Sequence, residues 1–239
     1  MGSFFAGVKA GTLGGVFYIG GLALFNAALL YGFKSQALSI ISRDYPSICP
    51  SSNSTSIQAC FNSVASVYIP YIAFIGFFVS LFFSGLFGWS YETFPGRSPV
   101  AKGEVTAVLV ALGLILGDLY GFTLGALPTT LLGVFFVAWT GLYGYILGRL
   151  YRRYTRTVRF ESADDKIAKV LVDGKDYTGR SRTFALTSTH EVKAKLSEGA
   201  SFKQWEVSGG VSLEDPRSYE TLMEVKGDGL LRVQSARKR

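Results

Sequence analysis

The chain has 239 residues, 49% of them apolar and 17% charged, with a formal net charge of +7. Soluble domains carry about 25% charged residues, so an ordinary water-soluble protein is excluded. Residues before 150 hold six Lys/Arg and four Asp/Glu and those after it eighteen and thirteen, dividing the net charge as +2 and +5. The tail's mixed signs argue against nucleic acid as a partner and fit attraction to anionic lipid headgroups.

No cleavable leader is expected, because only Lys9 precedes the first apolar run and no small-residue cleavage pattern follows a short core. About 20 apolar residues cross a bilayer as a helix. Four segments meet that length: Thr12–Phe33, Val67–Trp89, Val105–Leu124 and Pro128–Leu147. Pro70 and Pro128 lie near the starts of the second and fourth, where a missing N–H is tolerated.

Orientation follows the Lys/Arg bias of the flanks. With the N-terminus inside, the inner flanks collect Lys9, Arg97, Lys102, Arg149, Arg152, Arg153, Arg156 and Arg159, and the outer loops hold only Lys34 and Arg43. Both termini are therefore expected in the cytoplasm, with Arg149, Arg152, Arg153 and Arg156 at the lipid headgroups. The outer loop, residues 34–66, contains the only cysteines, Cys49 and Cys60, whose pairing would close it. Asn53-Ser54-Thr55 between them is a glycosylation sequon.

Small residues recur at four-residue spacing within the spans: Gly11 and Gly15; Gly76, Ser80, Ser84 and Gly88; Gly113, Gly117, Gly121 and Gly125; Gly144 and Gly148. Such ridges let helices approach closely in lipid, within one chain or between copies. The two hairpins also resemble each other. Gly21–Asn26 parallels Gly113–Asp118, and Ser84–Trp89 parallels Thr140–Tyr145, as a parallel duplication predicts. Asn26 and Asp118 then occupy equivalent intramembrane positions. A polar pair there is either an ion or proton site or interhelical glue.

After Arg159 the apolar runs become short and alternating. Ile167–Val172, Arg182–Leu186, Val192–Leu196, Phe202–Val207, Tyr219–Val225 and Leu230–Gln234 read as strands. Asp173-Gly174, Ser208-Gly209-Gly210 and Gly227-Asp228-Gly229 supply turn chemistry between them. The expectation is a four-helix membrane domain over residues 1–157 and a small all-β sandwich over 158–239.

The runs His190–Ala194, Glu198–Trp205, Ser208–Leu213 and Gly227–Leu231 resemble a divergent internalin B-type repeat, a β-sandwich module of surface proteins, over roughly residues 165–235. That likeness implies an adhesive or spacer module without catalytic residues, with Phe202 and Trp205 in its core. Such modules usually lie outside the cell, whereas the arginine bias places this one inside. The membrane half resembles small archaeal four-span proteins through Gly7–Gly11, which implies no function.

His190 is the sole histidine, and the cysteines lie across the membrane from it, which argues against a Cys/His zinc site. Nucleophile–histidine chemistry would rest on His190 alone, which reads as the start of an exposed strand. Asp164, Asp165, Asp173 and Asp176 match no calcium loop and read as solvated turn residues. No cofactor is expected. The leading expectation is a non-enzymatic accessory or scaffold subunit, self-associating or part of a larger membrane complex. Two alternatives remain: a small ion or proton channel or transporter, and a cell-envelope protein with its β domain outside.

Overall fold

The computed structural model describes residues 3–48, 57–96, 98–116 and 125–237. Five helices precede seven strands in chain order: α1 (Phe4–Gly32), α2 (Lys34–Ile48), α3 (Ile57–Ser90), α4 (Pro99–Leu116), α5 (Ala126–Tyr154), then β1 (Thr155–Ser162), β2 (Ala168–Val172), β3 (Lys175–Asp176), β4 (Ser181–Ala185), β5 (Ser188–Leu196), β6 (Ala200–Leu213) and β7 (Glu220–Arg237). Two compact units result. One comprises residues 8–87 and 95–150; the other comprises 1–7, 88–94 and 151–239.

In the first unit α1, α3, α4 and α5 are each long and apolar enough to cross a membrane. Their exposed positions are apolar as well: Leu24, Phe74, Phe82, Val134 and Val137 are all more than half exposed. A surface of that kind requires a lipid or protein covering. The region expected as an open loop between the first two spans is mostly helical. α2 follows α1 almost at once, and α3 begins ten residues before the expected start at Val67. Apolar residues spaced along α2 explain this, since Ala37 and Ile41 pack with Leu30, Cys60, Phe61 and Ala65.

Close helix contacts form where the small residues predict. A Cβ on Gly11 or Gly15 of α1 would overlap the side chains of Ser84 or Ser80 of α3. At the α4–α5 crossing, a Cβ on Gly103 would lie 2.8 Å from the Gly148 nitrogen, and one on Gly148 would lie 2.7 Å from Val100 Cα. Gly144 packs on Glu104 Cα in the same way. Gly76 meets Ile19 and Leu114, and Gly113 meets Phe83 and Val79. The ridge expected through Gly125 does not extend that far. Gly125 has φ +108, a left-handed value that ends helical geometry just before α5. Gly117 and Gly121 lie outside the described residues.

The second unit is built on one seven-stranded sheet ordered β3-β2-β5-β7-β1-β4, with β6 on the remaining edge of β7. It replaces the expected two-sheet sandwich: the sheet curls into a half-barrel. The cause is the length of β7. β6 pairs along nearly all of it, from Ala200↔Arg237 to Leu213↔Met223. On its other edge β5 pairs with the first part (Val192↔Thr221) and β1, in parallel, with the last (Phe160↔Leu231). Both parts turn onto one core of Val158, Phe160, Val170, Phe184, Val192, Trp205, Met223 and Leu231. Trp205 is buried, its indole N–H donating to the Ser218 carbonyl at 2.9 Å, and Phe202 packs against the cluster.

Two of the three expected turns are absent. Ser208-Gly209-Gly210 and Gly227-Asp228-Gly229 lie inside β6 and β7 and face each other, with Gly209 paired to Gly229. A Cβ on Gly210 would lie 2.9 Å from the Gly227 carbonyl carbon. The glycines thus serve a close backbone crossing, and the register shifts there, with β7 bulging between Val225 and Gly229 opposite Gly209 and Val211 of β6. Asp173-Gly174 is the turn expected: it joins β2 to β3 with φ values of 49° and 77°, a left-handed pair suited to a two-residue hairpin. The strand unit begins at Thr155, three residues earlier than the expected boundary, because β1 follows α5 without a linker.

Leucine at Gly148 overfills the α4–α5 crossing, at a cost of about 1–3 kcal/mol. Thermal unfolding of detergent-solubilised Gly148→Leu should begin on the order of 5 °C lower than in the native protein. Gly133→Leu, at a glycine with nothing within 4 Å of its Cβ position, should leave the transition unchanged.

Candidate functional site

The unit that contains the sheet also contains the beginning of α1, the segment after α3 and the last turn of α5. These three ends belong together in any arrangement of four crossings. Their polar contacts converge on the sheet. Asp228, in the glycine notch of β7, accepts from both Nη1 (3.2 Å) and Nη2 of Arg152 and from the Thr157 amide (2.7 Å). One carboxylate thereby ties the end of α5, the beginning of β1 and the middle of β7. Burial opposes ionisation of Asp228, but the Thr157 N–H and the Arg152 guanidinium outweigh it and hold the carboxyl below the usual range.

Arg156 turns back on its own helix, donating to the carbonyls of Arg152 and Arg153 (both 3.2 Å) and Thr155 (2.7 Å). Three acceptors at a helix end are thereby satisfied. Arg156 also lies in β1, not in the helix flank. Arg149 lies over the Tyr145 ring at 5.1 Å, and Arg153 is exposed. Of the four arginines assigned to headgroups, Arg152 and Arg156 are thus engaged in closing the helix–strand junction.

The segment after α3 makes two further contacts. Glu92 accepts from the Thr183 amide of β4 at 3.0 Å, and the Tyr91 ring lies 4.5 Å from that of Tyr151. Burial pushes the Tyr91 phenol up, against the opposing charge of Arg152. Tyr151 donates to the Gly88 carbonyl and accepts from the Ser3 amide, each at 3.3 Å. Ser3 caps α1 by accepting from the Ala6 amide at 3.2 Å.

An open groove of about 210 Å³ lies in this unit between the start of α1 and the β4–β5 turn. Ser3, Phe4, Phe5, Thr183, Ser188 and His190 are among its walls. His190, expected at the start of an exposed strand, is the third residue of β5, with its side chain only 20% exposed. Its Nδ1 lies 3.0 Å from Asp173 Oδ2 and its Nε2 lies 2.9 Å from Ser188 Oγ. Arg182 Nη1 donates to the same Asp173 oxygen at 3.0 Å, and the Arg182 guanidinium covers the Phe184 ring at 4.7 Å. Asp173 is therefore a paired residue, not merely a solvated one. Sequence spacing hides this cluster, because only the fold brings the β2–β3 turn beside β4 and β5. The serine two residues before His190, on the same strand face, was its one legible signal.

Asp176 pairs elsewhere, with Lys169 at 3.3 Å and Thr178. Its carboxyl is lowered chiefly by the Thr178 amide. Among the described residues no group of three or more His, Cys, Asp or Glu side chains is placed to hold a metal.

Inside the helical unit, polar side chains pair with one another. Tyr18 and Thr140 hydroxyls lie 2.8 Å apart and those of Ser84 and Tyr143 2.9 Å apart, while the Tyr18 and Tyr143 rings stack at 4.6 Å. The Trp139 indole donates to the Tyr18 carbonyl at 2.8 Å, beside Gly21, where no side chain intervenes. Ser84 and Thr140, equivalent in the expected duplication, each bond a buried tyrosine. Asn26 is buried and donates to the Leu22 carbonyl at 2.9 Å. Asp118 lies outside the described residues, as do Cys49 and Asn53. Cys60 is fully buried and is not a free thiol.

No protein-family model, curated protein or solved structure matches this chain. No match therefore supports the likeness of residues 165–235 to the internalin B-type repeat.

Asp228 is ionised above the ordinary carboxylate range near pH 4, and its folded-state value is depressed. Its contribution is thus present at neutral pH and lost as pH falls through that depressed value. The pair is half exposed, which limits its worth to about 1 kcal/mol. Asp228→Asn should lower neutral-pH stability by that amount and flatten the acid-side slope in pH-dependent chemical unfolding.

Proposed function

We propose that this chain is a multi-pass membrane protein acting as a non-enzymatic accessory or scaffold subunit, with both termini cytoplasmic. The helical bundle anchors it, and the curled sheet is its interaction domain, offered to a second copy or to a larger membrane complex. The supporting observation is the Asp228 junction. A domain on a flexible tether needs no carboxylate linking β7 to Arg152 in the last turn of α5.

The bundle's chemistry supports anchoring over transport. Tyr18 bonds Thr140 and Ser84 bonds Tyr143 between helices, and the Asn26 amide donates to its own helix, which is how polar groups serve as glue in lipid. Asp118→Asn protein reconstituted in liposomes should therefore show the same ion and proton leak as the native protein. A flux lost only in the variant would establish the transport reading instead.

Tyr219 and Leu222 stand exposed on the sheet and are suitable positions for a photo-crosslinking amino acid. In intact cells each should yield one discrete adduct, and acidic substitution of its neighbour should abolish that adduct. Smeared or absent adducts at both positions would count against an interaction domain. Orientation is tested separately with Arg217→Cys, at an exposed position. An impermeant maleimide should reach it only after lysis, and labelling of intact cells would favour the cell-envelope alternative.

A further inference from the structure

The cluster around His190 contains more acceptors than a neutral imidazole can serve. At one end, Asp173 Oδ2 faces Nδ1 at 3.0 Å, and that oxygen is ion-paired to Arg182. At the other end, Ser188 Oγ lies 2.9 Å from Nε2 and 2.7 Å from the Ala185 carbonyl. A carboxylate and a carbonyl only accept, and a hydroxyl has a single proton to donate. The Ala185 bond therefore consumes the Ser188 proton. Nε2 must then donate to Ser188, and Nδ1 must donate to Asp173. All three bonds exist together only when the ring carries both protons.

We propose that His190 is a proton-operated latch on the turn joining β4 to β5. Doubly protonated, it orients the Ser188 hydroxyl onto the Ala185 carbonyl and holds the turn closed. Losing the Nε2 proton turns the serine hydroxyl toward the ring and releases that carbonyl. The turn has reason to need holding. Thr187 sits at φ 60°, a costly value for a β-branched residue. Because Ser188 and His190 line the groove beside Phe4 and Phe5, the latch changes the shape of that groove.

The charged groups facing the ring are few. The β2–β3 turn contributes Asp173, and β4 contributes Arg182 together with the Phe184 ring, 4.5 Å from the imidazole. In the register of β7, Met223 and Val225 stand opposite His190 and Ser188, and neither titrates. From the start of α1 come Ser3, Phe4 and Phe5. The Glu92 carboxylate is held at the Thr183 amide. Arg182 pairs with the same Asp173 oxygen that faces the ring.

The order Asp173–His190–Ser188 is also that of a nucleophilic relay. That chemistry requires the serine to donate to Nε2, which the Ala185 bond prevents while the latch is closed.

Because His190 is the only histidine, the test is unambiguous. Full-length protein in nanodiscs, labelled with ¹⁵N-histidine, should show both ring nitrogens protonated at pH 5 and one at pH 8. Hydrogen exchange at the Leu186 and Thr187 amides, which donate to Tyr154 and Val225, reports the turn. After correction for intrinsic exchange, their protection should fall about tenfold from pH 5 to pH 8, as expected for loss of one charge-assisted bond. Ser188→Ala should leave the ring titrating while abolishing the pH step at the turn, and His190→Gln should abolish it too. A pH-independent turn in the native protein, or a step that persists in Ser188→Ala, would overturn the latch. A fluorophosphonate adduct on Ser188 that forms at pH 5 would overturn it as well, since the closed state commits the serine proton to the Ala185 carbonyl.

Discussion

Asp228 is the group on which the strand unit's architecture turns. Its carboxylate is the one acceptor shared by the last turn of α5, the first strand and the longest strand. The flanking glycines create its position. Gly227 and Gly229 let the β6 backbone approach so closely that no side chain fits between the chains. The notch leaves Asp228 directed at the helix end, where Arg152 and the Thr157 amide supply donors. An exposed ion pair of ordinary worth thus gains structural weight from where it stands, at the passage from α5 into β1.

The large-scale division was legible because it depends on composition over long windows. Twenty apolar residues in succession admit few readings, and the helices fall close to the expected spans. The strands of the tail were legible in existence and largely in position, because residues such as Val170 and Val192 alternate with polar neighbours. What failed were judgements that depend on distant partners. Gly-Asp-Gly is hairpin chemistry when read locally, and only the presence of Ser-Gly-Gly across the ladder makes it a crossing. α2 was missed because its apolar positions are few and count only when Cys60 and Phe61 lie beneath them. β1 was missed because its arginines continued a pattern that had already been assigned to the helix flank.

The polar chemistry divides in the same way. Asn26 stood out because a single polar residue in an apolar run is conspicuous. The tyrosines did not, since an aromatic hydroxyl near a membrane boundary usually reads as an interfacial anchor. Yet Tyr18 and Tyr143 are fully buried and carry the interhelical bonds. Gly103 escaped notice because its partners, Gly144 and Gly148, lie on another helix, out of reach of any same-helix spacing rule. The Asp173, Arg182, Ser188 and His190 group was the least legible, since it is assembled from a turn and two strands with no shared sequence spacing.

The seamless passage from α5 into β1 has a mechanical meaning. A strand paired on both edges cannot travel by one residue without reversing every side chain, which would carry Val158 and Phe160 out of the core and set Thr157 and Arg159 in their place. A helix normally shifts by fractions of a turn at little expense, but here such travel is quantised by the ladder. The last turn of α5 and the sheet therefore behave as a rod set in a rack. Any axial push at that turn is either resisted outright or passed whole to β4 and β7.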